Sequence, residues 1–213
     1  AHVAYGPGVT ITAVISNAGV VDAPASIVAF RLDDPETGPV VAQVSVPGLA
    51  SGSTFEAAAA WDGGGAADGE HILYAVADAA GSVLEADEGN NAGWTAVRLL
   101  PDLVTRPADV TGHFAGDSFT INAWVHNEGL RAAQGARLGL YRSWPRLGEV
   151  PPVSSPRFDL APGESVQVTL TWPGEWQPGL YVGANGDGEI AEADLGNNLA
   201  FLGRRRWLAY LPL

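Results

Sequence analysis

This 213-residue sequence predicts an all-β fold built from two similar halves. Three observations carry that prediction. Gly (27) and Pro (15) together make about a fifth of the chain, with short apolar runs between them, as in strands joined by many turns. Apolar residues alternate with polar ones at period two in four places. The second half also repeats the first. Residues 116–129, GDSFTINAWVHNEG, match residues 6–19, GPGVTITAVISNAG, without a gap. Residues 160–163 (LAPG) match 49–52 (LASG), Trp172 matches Trp61, and IAEADLGNN (190–198) matches VLEADEGNN (83–91).

The elements follow in order. Val9, Ile11, Ala13 and Ile15 alternate with Thr10, Thr12, Val14 and Ser16, and Phe119, Ile121, Ala123 and Val125 do the same in copy two. Phe55, Ala57, Ala59 and Trp61 share one strand face, as do Val166, Val168, Leu170 and Trp172. Such half-buried strands meet by their inner faces across a sandwich. Further strands are expected near 27–32, 72–77, 94–99, 135–142, 180–184 and 199–202. No segment has a sustained helical period. About seven short strands per copy is an immunoglobulin-like pattern. The prediction is therefore two tandem immunoglobulin-like β-sandwiches, residues 1–100 and 101–203. Leu99 and Leu100 run straight into Pro101, so a stiff tandem is expected.

The copies differ at their ends. Copy two carries PDLVTRPADV (101–110) before its alignable start, whereas copy one begins at Ala1 without a counterpart. Beyond copy two lies RRRWLAYLPL (204–213). The first module is thus expected to lack its N-terminal strand, and the tail to be a C-terminal donor-like strand in search of a module.

Composition narrows the function classes. The formal charge is −13, with 11 Arg and no Lys, which argues against nucleic acid and anionic membranes as partners. Absence of Cys excludes disulfides, thiolate nucleophiles and Cys-ligated metals. There is no Met, even at position 1, so the chain reads as a processed product or a fragment. A start at Ala1 fits removal of a secretory signal, and lack of the readily oxidised residues suits an extracellular or cell-surface protein. No apolar stretch approaches the ~18 residues of a membrane span.

No catalytic constellation is visible. His2, His71, His113 and His126 form no HExxH or HxH motif, and only His126 is expected on a regular outward strand face. No serine sits in a G-x-S-x-G elbow. The acidic endings are richer: Asp78, Glu85, Asp87, Glu88, Asn90 and Asn91 in copy one; Asn185, Asp187, Glu189, Glu192, Asp194, Asn197 and Asn198 in copy two. They could offer oxygen ligands to Ca²⁺, or they could simply supply turn geometry. The set differs between copies, Asp78 becoming Asn185 and Glu88 becoming Leu195, so no metal and no cofactor is assigned. Trp124 falls on an outward strand face and could stack on sugar with Trp144 and Trp176, or lie under a loop.

PDLV at 101–104, the N-x-G turns (Asn17/Gly19 and Asn127/Gly129), the L-A-x-G turns and the E-A-D-x-x-N-N endings resemble the CARDB domain, the cell adhesion related domain found in bacteria. The resemblance covers nearly the whole chain apart from the tail. It implies an extracellular, non-enzymatic β-sandwich used as a spacer or adhesive unit. Copy one departs from the pattern at the missing PDLV strand.

These features lead to the expectation of a secreted structural subunit that polymerises head to tail with copies of itself. The polymer interface would be Trp207, Leu208, Ala209, Tyr210, Leu211 and Leu213, inserted into domain 1 of a neighbour. Three extended arginines reach only about 10 Å, against roughly 30–40 Å across a 100-residue domain, so insertion in trans is expected. The alternative is a monomeric cell-surface adhesion or carbohydrate-binding module with a surface glycan as partner. A third possibility, an accessory piece of a larger secreted enzyme, needs sequence outside this chain.

Overall fold

The computed structural model describes residues 2–4, 9–115, 118–146, 148–173 and 179–202. The chain divides into two compact units, Ala1–Leu99 and Leu100–Leu213. Helix among the described residues is limited to two 3₁₀ turns, Glu88–Asn90 and Pro107–Asp109.

Unit 1 is a two-sheet sandwich. One sheet joins β1 (His2–Ala4), β2 (Val9–Ser16) and β5 (Thr54–Trp61). The other orders β4 (Val40–Val46), β3 (Ser26–Leu32), β6 (Gly69–Val76) and β7 (Ala92–Leu99) as β4-β3-β6-β7. The period-two faces do what their alternation requires. Val9, Ile11 and Ala57 turn inward, as do Val28, Phe30, Leu32, Leu73 and Val97 from the second sheet. Val14, on the other face of β2, is exposed.

Unit 2 repeats the plan. β10 (Ser118–Asn127) pairs with β15 (Ser165–Pro173) along nine residues from Ser118↔Pro173 to His126↔Ser165. Its other edge carries a first strand in two pieces, β8 (Leu103–Val104) and β9 (Val110–Ala115), joined through the 3₁₀ turn. Facing it is the sheet β13-β12-β16-β17, made of β13 (Val153–Ser154), β12 (Leu138–Tyr141), β16 (Leu180–Ala184) and β17 (Leu199–Leu202). A small pair, β11 (Ala133–Ala136) with β14 (Phe158–Leu160), closes one end. The core runs from Leu103, Phe119 and Ile121 to Leu140, Trp172, Val182 and Leu202.

The repeated turns have matched backbone reasons. Gly52 and Gly163, which end the two L-A-x-G turns, both have positive φ, 75° and 76°, a conformation that glycine adopts without a Cβ penalty. Asp78 and Asn185 begin the two acidic endings in the left-handed region as well, at φ 42° and 47°, where short polar side chains are tolerated because they bond locally.

Four details depart from expectation. The strand expected over 135–142 is divided at Arg137, where the chain passes from pairing with β14 to pairing with β13 and β16; the bulge at Gly135, φ 67°, lies within β11. β4, β13 and β14 were not anticipated; β4 is an edge strand whose side chains are mostly half-buried or exposed, and the other two are only two and three residues long. His126 is not alone on a strand, since β6 begins early enough to include His71 and β9 includes His113. The first module is not wholly without a first strand. His2–Ala4 pairs with Thr10, Ile11 and Thr12. Only this stub is present among the described residues, and none of them pairs beside residues 13–16 on that edge.

Candidate functional site: the first-strand seat

Because the two units share one plan, unit 2 shows what a complete first strand contacts, and unit 1 shows the same place with only His2–Ala4 on it among the described residues. The seat is built around the N-x-G turn at the end of β10. Asn127 is fully buried and its amide is saturated. Nδ2 donates to Arg131 O (2.7 Å) and Leu160 O (2.9 Å). Oδ1 accepts from Gly129 N (3.1 Å) and from Asp102 N on the first-strand arm (3.1 Å).

The arm is gripped along its length. Leu130 N donates to Leu100 O (2.9 Å), Ala193 N to Pro101 O (2.9 Å) and Glu128 N to Asp102 O (2.8 Å). Leu103 N donates to the Glu192 carboxylate (2.5 Å), and Thr105 N to Asn197 O (3.3 Å). Leu103, Val104 and Thr105 are all buried. Gly129 is needed because of this arm: a Cβ there would lie 2.4 Å from both Asp102 N and Leu100 O.

In unit 1 the same groups wait. Asn17 Nδ2 donates to Val21 O (2.8 Å) and Leu49 O (2.9 Å), and its Oδ1 accepts from Gly19 N (3.0 Å). The fourth bond, from an arm, has no counterpart among the described residues. Ala18 N, Val20 N and Ala86 N, which match the three arm-binding amides, have no partner among the described residues either. Glu85 matches Glu192; its Oε1 accepts from Asn91 Nδ2 (3.2 Å), and no described N–H reaches Oε2. The apolar consequence is as large. Val20 is 93% exposed where Leu130 is 5% exposed. A Cβ on Gly19 would meet only Asn17 Oδ1, at 3.1 Å.

Glu192 is the electrostatic centre of the occupied seat. Burial pushes its carboxyl up to about 7, against the Leu103 N–H and the Asn185 and Asn198 amides, which favour the ionised form. Burial pushes Asp102 up as well; the Asn197 amide (2.9 Å) opposes it, and Asp194 and Glu128 add repulsion.

The acidic endings stabilise their own turns. Burial would raise Asp78, but bonds from Val83 N, the Ser82 hydroxyl and Ser82 N outweigh it and hold its carboxyl low. Asn185 bonds Ile190 N and O and the Glu192 carboxylate. Asp187 and Glu189 are ion-paired with Arg137, and Glu189 also with Arg157. No group of three metal-ligating side chains occurs among the described residues. Two of the histidines bond local groups. His71 bridges Asp33 (2.8 Å) and Ala67 O (3.0 Å), and His126 bonds Ser165 Oγ (2.6 Å).

Trp124 does face outward, 42% exposed, and Trp144 is 59% exposed; Trp176 lies outside the described residues. Sequence reasoning missed two neighbours. Tyr181 and Phe201, paired across β16 and β17, stack at 5.0 Å, and Trp144 meets Tyr181 at 5.7 Å. The rings are inclined by 47° and 78°, so they form no flat platform. The six tail residues expected at the polymer interface, Trp207, Leu208, Ala209, Tyr210, Leu211 and Leu213, also lie outside the described residues.

Two immunoglobulin-like sandwiches that repeat an N-x-G turn, an L-A-x-G turn and an acidic ending define a tandem of one β module. The chain belongs to the CARDB family, whose model matches it twice, over residues 1–94 and 100–201. That family is adhesion-related and non-catalytic, which is consistent with an extracellular or cell-surface location. Comparison with curated proteins gives no match. Solved structures with a likeness include a CARDB domain from Pyrococcus furiosus, in complex with di-metal ions (16% identity, 48% of this chain and 84% of that chain, TM-score 0.36). Red sea bream transglutaminase is another (12% identity, 93% and 29%, TM-score 0.43). Amycolatopsis orientalis exo-chitosanase is a third (13% identity, 90% and 26%, TM-score 0.30). This chain thus spans under a third of the two enzymes, and likenesses at these scores carry no argument about its chemistry.

Three outcomes follow from the seat. Gly129→Ala should cost several kcal/mol, because arm backbone must move, while Gly19→Ala should cost under about 1 kcal/mol; chemical denaturation followed by Trp fluorescence measures both. Glu192 has a folded pKa raised above its unfolded value, so its contribution is full below pH about 4.5 and lost as pH rises through about 7. The loss should reach at most about 3 kcal/mol, and Glu192→Gln should flatten that part of the stability–pH curve. Millimolar calcium should leave the melting temperature unchanged, since Asp78, Asp187 and Glu189 already have partners; a rise of several degrees abolished by EDTA would contradict this.

Proposed function

We propose that this protein is a secreted structural subunit that polymerises head to tail, residues 204–213 of one copy completing the first-strand edge of unit 1 in the next. The observation that carries the reading is the comparison between units. The backbone N–H groups that grip residues 100–102 in unit 2, together with Asn127 and Glu192, have counterparts in unit 1, whereas the Glu128 carboxylate that holds Arg106 is replaced by Ala18; among the described residues only the stub His2–Ala4 lies on that edge. An unpaired edge beside exposed Val14 and Val20 is a template for strand addition. A tail-to-edge contact is heterologous, so it propagates unless it closes into a ring.

The second reading, a monomeric adhesion or glycan-binding module, has the exposed Trp144, Tyr181 and Phe201 cluster in its favour. The inclination of those rings weakens it, because sugar stacking wants a flat face. Polymerisation remains the reading the seat supports best.

Deleting residues 204–213 should yield soluble monomers. A WLAYLPL peptide at about 100-fold its Kd should then stabilise them by about 2.7 kcal/mol. Fibres from the truncated chain, or a native chain whose intact mass and structure reveal upstream residues seated on β2, would overturn the reading.

A further inference from the structure

We infer that the unit 1 edge is a register-specific site for an extended peptide segment, gripped by Asn17, Glu85 and the Ala18, Val20 and Ala86 amides, and that it seats the tail with Leu208 where unit 2 seats Leu103. This rests on the polymer reading and specifies how the contact is made.

The demands of the site are read from its occupied copy. The residue at the position of Leu103 must carry a fully buried apolar side chain and an N–H for the carboxylate. The residue before it must carry an N–H for the asparagine oxygen, and the residue two further on an N–H for a turn carbonyl. The residue directly after it lies in the ladder, as Val104 does opposite His126. Proline has no N–H, so it is disfavoured at each of these places.

The tail offers three leucines downstream of its arginines: Leu208, Leu211 and Leu213. Seating Leu213 puts Pro212 where the N–H for Asn17 is required. Seating Leu211 puts Pro212 in the ladder position. Seating Leu208 puts Trp207, Ala209 and Tyr210 at the demanding places, all with N–H groups. Pro212 then falls four residues beyond Leu208, where unit 2 itself has Pro107 beyond Leu103.

Charge supports the same register. It brings Arg206 to the position of Pro101, whose carbonyl is bound by Ala193 N beside Asp194 and Leu195. In unit 1 the matching residues are Ala86, Asp87 and Glu88, and both carboxylates are exposed. Unit 2 has an apolar Leu195 where unit 1 has Glu88, so the turn beside Ala86 carries one more carboxylate than its counterpart, while on the facing turn Ala18 stands where unit 2 has Glu128.

The cysteine-free chain makes the test direct. In the Leu208 register Ala209 lies opposite Ser16, as Val104 lies opposite His126, within the separation a disulfide spans. The full chain carrying Ser16→Cys with Ala209→Cys should give a ladder of disulfide-linked multimers on mild oxidation. Ser16→Cys with Pro212→Cys, the pair for the Leu211 register, should give little. Adding Gly19→Ala to the first pair should leave the chain folded, by circular dichroism, and suppress the ladder at least about tenfold, because its Cβ would meet the seated strand as one on Gly129 would meet the arm. Glu88→Leu should slow ladder formation and remove part of its salt dependence.

A ladder from the Pro212 pair instead would overturn this register while leaving tail-mediated polymerisation intact. An intrachain disulfide, or fibres with neither ladder, would overturn the tail's place in a neighbour's unit 1 and the proposed function with it.

Discussion

The structure turns on one constraint: a buried asparagine amide must have all its hydrogen bonds. In unit 2, Asn127 ties the N-x-G turn, the L-A-x-G turn and the first strand together, one bond or more to each. With no solvent to replace a missing partner, each bond is costly to lose. The turn therefore recruits the arm as firmly as the arm's apolar side chains do. Asn17 anchors its two turns in the same way but sits partly exposed, so water can occupy the position the arm would take.

The two units thus differ in completion more than in design. β2 and β10 have the same alternation, and β5 and β15 pair with them over matching stretches. The differences gather around the first strand. Leu130 is buried and Val20 exposed; Gly129 meets arm backbone while Gly19 has room; Glu192 accepts an arm N–H from Leu103, and Glu85 accepts only from Asn91 among the described residues. Each of these follows from whether a strand covers the turn.

Much of this was legible in the sequence for physical reasons. Period-two faces located β2, β5, β10 and β15 because a half-buried strand must alternate. The repeat pointed to the first-strand edge because both copies share turn residues at fixed places. Less legible were elements whose positions depend on partners. β13 and β14 are too short for a period, and the break between β11 and β12 falls where the chain changes pairing partners. The aromatic cluster at Trp144 escaped because Tyr181 and Phe201 become neighbours only through strand pairing. Glu85 and Glu192 looked like candidate ligands in a list of acids. Their role as acceptors for a strand N–H became visible only with Leu103 beside Glu192.

An open edge is chemically indiscriminate: backbone N–H and C=O groups pair with any extended chain. Selectivity must come from groups that reject the wrong segment. Gly19 matches Gly129, where a Cβ would meet arm backbone, and Asn17 and Glu85 match the two groups that accept an arm N–H, which proline in the wrong place cannot supply. Asp87 and Glu88 favour a cationic approach. A basic run leading into an apolar segment would meet these demands, and within this sequence residues 204–213 combine the two.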